Sequence, residues 1–520
     1  MEDSAPPPDR RPVARKPDAP VSGGSHTWRG VLAAIDIGSN SFRLEIGRCG
    51  TDRYRRVDYL KETVRLGAGL DADGRLSDEA AARGLACLAR FRDRLDGIPP
   101  TQLRAVATQT LREATNRNAF LREACAVLGH PIDIISGREE ARLIYKGVAR
   151  LQPSTTPRLV IDIGGRSTEM ILGSGSQVNA AESFRVGSVS LSMAYFPEGR
   201  FTAAAFEAAQ VAAGAELEEA LVPFARAHWQ EALGSSGTAG AVSELLAAQG
   251  VTDGRITPAA LRWCIDLCLQ AGTADQLALG GLKPDRRAVI GGGLAILSTL
   301  LTQFGIDELC PARGALRQGV IFDLDERRSA EHASVHHDLR DDSAAELQRR
   351  FGVDRLHAQR VQALALALHG QIAPDAALER QRELGWAAAL HEVGLMVSHH
   401  DHHRHSAYLL GHVDAPGFAQ NQQRQIADLV LGQRGGLRKV DACLADAPRA
   451  AQLLALRLAV LLCHARGEAP SGVSLSLAGK RIGVRTPADW SARYPRAMHL
   501  LREEAQQWAK LGGWGFDLAT

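Results

Sequence analysis

The sequence predicts two α/β halves of one repeated design facing each other over a cleft, followed by an all-α module and a small C-terminal α/β region. Three observations carry this. Ala33-Ala34-Ile35-Asp36-Ile37-Gly38-Ser39-Asn40-Ser41 and Leu159-Val160-Ile161-Asp162-Ile163-Gly164-Gly165-Arg166-Ser167-Thr168 are both an apolar strand ending in Asp, an apolar residue, Gly and then hydroxyl side chains. From Trp28 to about Asp325, β-branched runs alternate with Ala/Leu-rich stretches, the pattern of strands and helices in turn. Beyond Asp325 the chain is rich in Ala, Leu, Arg and Gln, with few strand signals.

In chain order, residues 31–37 read as a strand, Gly38-Ser39-Asn40 as a turn and 42–47 as a returning strand. Ser77 is a good N-cap for a helix running to about Leu95, and 103–108 and 132–135 read as further strands. The pattern restarts with strands at 159–163 and 169–172, an Ala-rich helix over 203–221 and a strand at 288–290. Helices are expected over 344–351, 359–368, 381–390 and 453–463. A hairpin at 473–477 and 482–484 turns at Ala478-Gly479-Lys480. The expected division is a disordered tail over 1–27, α/β halves over 28–152 and 153–325, a helical module over 326–465 and a terminal region over 466–520. The tail holds six prolines and four basic residues with no apolar h-region, so it does not read as a secretory signal.

Length supports this division: 520 residues make roughly three to four domains at about 150 residues each. The 61 Lys and Arg nearly balance the 59 Asp and Glu, for a net charge of +2. That balance excludes a protein held on nucleic acid by bulk charge, so an anionic partner must be met at a local site. No apolar run approaches the ~18 residues of a membrane span, and a soluble cytoplasmic protein is expected. The eight cysteines are scattered without a CxxC pair, which suits buried reduced thiols.

An Asp at a strand end followed by a Gly/Ser turn sets a carboxylate beside free backbone N–H groups. A magnesium-bound phosphate needs that combination: amides and the side chains of Ser39, Asn40, Ser167 and Thr168 donate to phosphoryl oxygens, and Asp36 or Asp162 holds the metal or its waters. One such turn is ordinarily only a turn; two copies opening two half-domains point to a site. Glu169, at the start of the returning strand, is near enough to Asp162 to share a divalent ion, the alternative being a solvated hairpin carboxylate. The turn Gly234-Ser235-Ser236-Gly237-Thr238 precedes a helix, where free N–H groups favour an anion. Gly291-Gly292-Gly293 suits either a ligand or close packing.

These motifs, together with Thr110-Leu111-Arg112, Ile134-Ile135-Ser136-Gly137-Arg138-Glu139-Glu140-Ala141-Arg142, Gly314-Ala315-Leu316-Arg317-Gln318-Gly319-Val320, Leu390-His391-Glu392-Val393-Gly394 and His403-Arg404-His405-Ser406, resemble the exopolyphosphatase/guanosine pentaphosphate phosphohydrolase family over nearly the whole chain after residue 30. The resemblance implies an actin/hexokinase/Hsp70-like (ribonuclease H-like) duplicated fold and a helical extension related to HD-type phosphohydrolases. The long chain is most like the polyphosphate-degrading branch. By this resemblance Glu140 is the catalytic carboxylate that directs water, with Glu139 as the adjacent candidate, and Arg112 faces the phosphate. Asp36, Asp162 and Glu169 are then the metal candidates. Gly164, Gly165, Gly237 and Thr238 join Ser39, Asn40, Ser167 and Thr168 in cradling phosphate. Magnesium is the implied cofactor, with potassium a candidate activator, inorganic polyphosphate the substrate and a homodimer the assembly; neither nucleic acid nor a membrane is expected as a partner.

Arg166 departs from the small residue that similar proteins carry. At a positive φ it would cost about 1–2 kcal/mol; otherwise it points away or adds a phosphate contact. A weakened enzyme acting as a polyphosphate or alarmone sensor follows from the first case. Hydrolysis of pppGpp, with a guanosine pocket near Gly291–Gly293, is the alternative activity, and an ATP-dependent sugar kinase would share the two Asp turns. In the helical module, His391, His399, His400, His402, His403, His405 and His412 cluster, but the pair is His391-Glu392, and the resemblance implies a structural use. Basic residues there, among them Arg360, Arg404, Arg434, Arg438 and Lys439, are candidates for a polyphosphate groove.

Overall fold

The computed structural model describes residues 30–50, 53–332 and 338–519; the tail expected over 1–27 lies outside them. The first sheet contains β1 (Val31–Ile37), β2 (Ser41–Cys49), β3 (Tyr54–Thr63), β4 (Leu103–Ala107) and β5 (Ile132–Ile134), in the order β3-β2-β1-β4-β5. The second contains β6 (Arg158–Ile163), β7 (Thr168–Ser174), β8 (Gln177–Phe184), β9 (Glu231–Ser235) and β10 (Cys310–Pro311), in the order β10-β9-β6-β7-β8. Read from the other edge, this is the same order. In each sheet an antiparallel meander leads to a central strand that pairs in parallel with the next. The duplication expected from the twin Asp turns is therefore a duplication of topology.

The central strands β1 and β6 are almost wholly buried, which explains their near-continuous apolar sequence: both faces are covered, so no alternation is needed. The edge strands β3 and β8 escaped the sequence reading because half or more of each is at least partly exposed and polar residues fill those positions. The strand expected at 288–290 is absent. Ile290 instead opens a buried helix, Ile290–Gln303, and its glycines serve packing. A Cβ on Gly292 would lie 2.5 Å from the Ser188 carbonyl oxygen.

Two helices join the halves. Gly137–Leu151, which follows the first sheet in sequence, packs on β7 and β8 of the second, whereas Leu316–His332, which follows the second, packs on β1 and β2 of the first. The two helices also pack on each other, and only glycine permits their approach: a Cβ on Gly319 would sit 1.7 Å from the Leu143 carbonyl oxygen. Asp323 anchors this seam, accepting from Arg104 (2.7 Å), Arg142 (2.8 Å) and Arg327 (2.7 Å). Although burial opposes its ionisation, Arg327, Arg142, Lys146 and Arg104 hold its carboxyl well below the usual range.

The remaining residues form a helical layer on a separate core that includes Trp386, Leu453, Trp490 and Trp508. The expected hairpin is present as β11 (Ser474–Ala478) and β12 (Arg481–Arg485), with β13 (Gly515–Ala519) added in parallel. Among the described residues, which include all eight cysteines, there is no disulfide, and no helix is long and apolar enough to cross a membrane.

Candidate active site

The cleft between the sheets holds a cavity of about 340 Å³ lined by Asp36, Ser39, Asn40, Glu140, Asp162, Gly164, Gly165, Ser167, Gly237 and Thr238. The two Asp turns thus open into one space, and their loops touch: a Cβ on Gly165 would meet the Ser39 Cβ at 3.1 Å. Corresponding residues sit at the same register. Asp36 pairs across its hairpin with Arg43, and Asp162 pairs across its own with Glu169. Arg43 donates to Asp36 Oδ2 at 3.0 Å, so the first turn presents a neutralised pair. The second presents two carboxylates.

Glu140 reaches this site because of the exchanged helix. Ser136 caps Gly137–Leu151, accepting from the Glu139 N–H at 3.1 Å, and Glu140 falls in the first turn, where the helix dipole favours a carboxylate. Burial nevertheless pushes its carboxyl up to about 7, against the pull of Arg112. Burial likewise raises Asp162 to about 6, opposed by hydrogen bonds from Ser235 and Ser236 and by Arg43. Glu169, 1% exposed, is raised by burial and then by the charges of Glu140 and Asp162. Carboxylates so crowded in a low dielectric call for a proton or a cation. All are oxygen donors, the ligand class that a hard ion such as magnesium takes, although among the described residues no three of the cleft's carboxylates bring an oxygen each within 4.8 Å of one another. Asp162 lines the cavity, and Glu169 stands behind it, accepting from Ser183 Oγ at 2.8 Å.

Cations that sequence reasoning did not single out line the same cavity. Arg43, Arg56, Lys61, Lys283, Arg286 and Arg317 border the cavity from elements far apart in the chain. Arg286 is 9% exposed, and among the described residues no hydrogen bond or ion pair engages its guanidinium. Burial and then Arg43 lower its pKa, and burial and then Arg286 lower that of Lys61. Crowded, desolvated cations favour an anion between them. Gly237 makes room for Arg286, since a Cβ there would stand 1.9 Å from Arg286 Nη2. Asn40 Nδ2 and Ser41 Oγ are buried without a partner beside the cavity, which leaves donors free for a ligand.

Several expected contacts are rearranged. Arg112 does not line the cavity: its Nη1 donates to Glu140 Oε2 at 2.7 Å and to the Ile135 carbonyl at 3.0 Å, and its Nε donates to Gln109. Its guanidinium is engaged by Glu140, Gln109 and the Ile135 carbonyl. Thr168 is fully buried and donates to the Val186 carbonyl at 2.6 Å, so it closes the hairpin and does not cradle a ligand. Thr238 Oγ1 donates to the Ile163 carbonyl, and Ser39 Oγ accepts from Thr110. Glu139 is spent on Arg142 and on the Gly417 N–H. Arg166 has no positive φ and reaches away from the cavity, donating to Glu113 Oε2 at 2.9 Å and to the Gly67 carbonyl at 3.2 Å. The strain that motivated a weakened enzyme is therefore absent. Gly291–Gly293 are buried and packed closely against Phe196, Ser188 and Thr238. In the helical layer, Arg404, Arg438 and Lys439 meet Lys510 around a separate depression, whereas Arg360 is bonded to the Arg466 carbonyl.

A duplicated α/β fold whose cleft gathers buried carboxylates and several cations, most of them already in ion pairs such as Lys61 with Asp285 at 3.0 Å, defines a protein that handles phosphoryl groups. The chain belongs to the Ppx/GppA phosphatase family, whose model matches residues 51–328; the family's domain III matches residues 339–505. Among solved structures, an exopolyphosphatase-like protein is 27% identical with a TM-score of 0.52, the match covering 58% of this chain and 98% of that one. An exopolyphosphatase from Cytophaga hutchinsonii is 25% identical with a TM-score of 0.51, over 57% of this chain and 98% of its own.

Proposed function

We propose that this phosphatase removes terminal orthophosphate from linear inorganic polyphosphate with the assistance of magnesium. The opposition of Glu140, Asp162 and Glu169 to Arg43, Lys61 and Arg286 around one cavity carries this reading. Bound magnesium would be held by Asp162, with Glu169 behind it, and would supply charge neutralisation at the phosphoryl oxygens. Arg286 and Lys61 bind the terminal group, and Asn40 Nδ2 and Ser41 Oγ donate to it. Glu140, oriented by Arg112, takes the proton from a water whose oxygen bonds to phosphorus while the bridging P–O bond breaks and the shortened chain leaves. A carboxyl near 7 suits that proton transfer at neutral pH.

Polyphosphate is preferred over pppGpp because the cavity is ringed by cations and the glycines expected to admit a guanosine are packed against neighbouring residues. The HD relationship of the helical layer belongs to the same proposal, and its depression at Arg404, Arg438, Lys439 and Lys510 suits a distant stretch of a polyanion. Phosphate release from long-chain polyphosphate, pppGpp and ATP tests the reading. Polyphosphate should be the fastest substrate, and Glu140→Ala should lower its turnover by about 10²–10⁴-fold. Faster release from pppGpp would reassign the substrate; unchanged turnover in Glu140→Ala would remove the base.

A further inference from the structure

Far from the cleft in sequence, the helical layer holds three buried side chains that no part of the proposed hydrolysis uses. His357 lies in the first turn of helix Arg355–Ile372, and His391 and Glu392 follow helix Leu378–Ala389 in a tight turn. They are 3%, 1% and 8% exposed. One ligand atom from each lies within 4.8 Å of the others, and among the described residues they are the only such group of His, Cys, Asp and Glu.

Each keeps a buried polar atom without a partner among the described residues. His391 Nδ1 is 2.7 Å from the Ala388 carbonyl oxygen, so it carries the proton and donates; Nε2 keeps its lone pair, buried and without a partner. A backbone carbonyl fixing one imidazole nitrogen while the other faces a ligand is the usual support of a metal-binding histidine. The loop itself is pinned, because the His391 carbonyl accepts from Ser406 Oγ at 3.0 Å and from Gln433 Nε2 at 2.8 Å. Glu392 accepts from Arg466 through Oε1 at 2.5 Å, while its Oε2 is buried and unpaired. His357 Nδ1 is likewise buried without a partner. His357 Nε2 lies 3.9 Å from Glu392 Oε1, and buried polar atoms without a partner on three neighbouring residues are a costly arrangement for packing alone.

We propose that His357, His391 and Glu392 bind a first-row divalent metal of the zinc class, at a site separate from the cleft. Two imidazoles and a carboxylate form a borderline nitrogen and oxygen set that suits zinc or its neighbours and does not suit magnesium, which prefers oxygen. Bonds of about 2.1 Å place tetrahedral ligand atoms about 3.4 Å apart, so small side-chain rotations close the set on an ion. Three protein ligands leave a fourth position open to water or a small ligand, as in reactive zinc sites. The proposal does not depend on the substrate of the cleft. It departs from the purely structural role expected of this histidine cluster.

The test uses the full chain, stripped with a chelator, reloaded with Zn²⁺, desalted and measured by elemental analysis, with Co²⁺ absorption in the visible as a report on coordination. Wild type should retain one zinc and show the Co²⁺ bands of nitrogen and oxygen ligation. His391→Ala and Glu392→Gln should each weaken zinc by more than about tenfold, whereas His400→Ala and His412→Ala, at exposed histidines, should retain it. If His391→Ala does not fold, the near-isosteric Glu392→Gln carries the test. Failure of wild type to retain zinc, retention by Glu392→Gln, or loss in His400→Ala or His412→Ala would each overturn the proposal.

Discussion

The hairpins β1–β2 and β6–β7 are the same structure with opposite electrostatics. Both place an Asp at the end of the central strand, and both place a charged residue opposite it in register. In the first hairpin that partner is Arg43, which pairs with Asp36 at 3.0 Å; in the second it is Glu169, and like charges face each other in a buried site. Duplication supplied two equivalent positions, and a single difference in side-chain sign separated them. The first hairpin therefore presents a neutralised pair, and the second presents the crowded carboxylates that the proposed magnesium would meet. Equivalence of sequence motif did not mean equivalence of role.

Making the second hairpin a copy of the first is the most damaging test of this asymmetry. Glu169→Arg should abolish metal-dependent phosphate release, because several kcal/mol of charge stabilisation would be lost, on the order of 10³-fold in turnover. Assays over a magnesium series would check it, and a variant with wild-type magnesium dependence would break the comparison. Removing the first hairpin's counter-ion should act on stability. Arg43→Ala leaves Asp36 buried and unpaired, at a cost of about 1–3 kcal/mol, measured by urea unfolding with magnesium absent.

The pH dependence sharpens the contrast further. Glu140 near 7 and Asp162 near 6 must ionise to serve, so kcat/KM should climb with pH through that interval and level off above it. Added magnesium should move the climb to lower pH. The sign for stability is the reverse: these carboxyls stay protonated in the folded protein at pH values where the unfolded chain has released its protons. Metal-free protein should therefore lose stability as pH rises from the ordinary carboxylate range to about 7, seen as a falling Tm that magnesium restores. The smallest effect belongs to Arg166→Gly. Its partly exposed ion pair with Glu113 is worth less than about 1 kcal/mol, so turnover should change less than about fivefold; a gain of 10²-fold would show that Arg166 restrains the enzyme.

The twin strand-turn motifs were legible because β1 and β6 are buried on both faces and end in turns with unmistakable chemistry. Helices such as Asp78–Arg94 were legible from their caps, Ser77 accepting from the Ala80 N–H as expected. The edge strands β3 and β8 were not, since their polar exposed residues carry no apolar run. The packing of Gly137–Leu151 on the second sheet, although it precedes residue 152, was also not legible in the sequence. The cleft cations Lys61 and Arg286 gave no local signal, lying more than 200 residues apart in the chain. Arg112 was visible as a charged residue, but its engagement by Glu140 was not.

By itself the sequence determined the duplication, the two aspartates at the cleft, the helical character of the last third and the family to which the chain belongs. Those properties are written in local patterns: burial makes a strand continuously apolar, and a Gly-rich turn exposes its amides wherever it occurs. The tertiary structure alone decided which carboxylates share a field, which arginines are spent on ion pairs and which stay free. The reason is that a pKa or an unpaired donor depends on dielectric and on neighbours within a few ångströms, and those neighbours come from helices exchanged between the two halves.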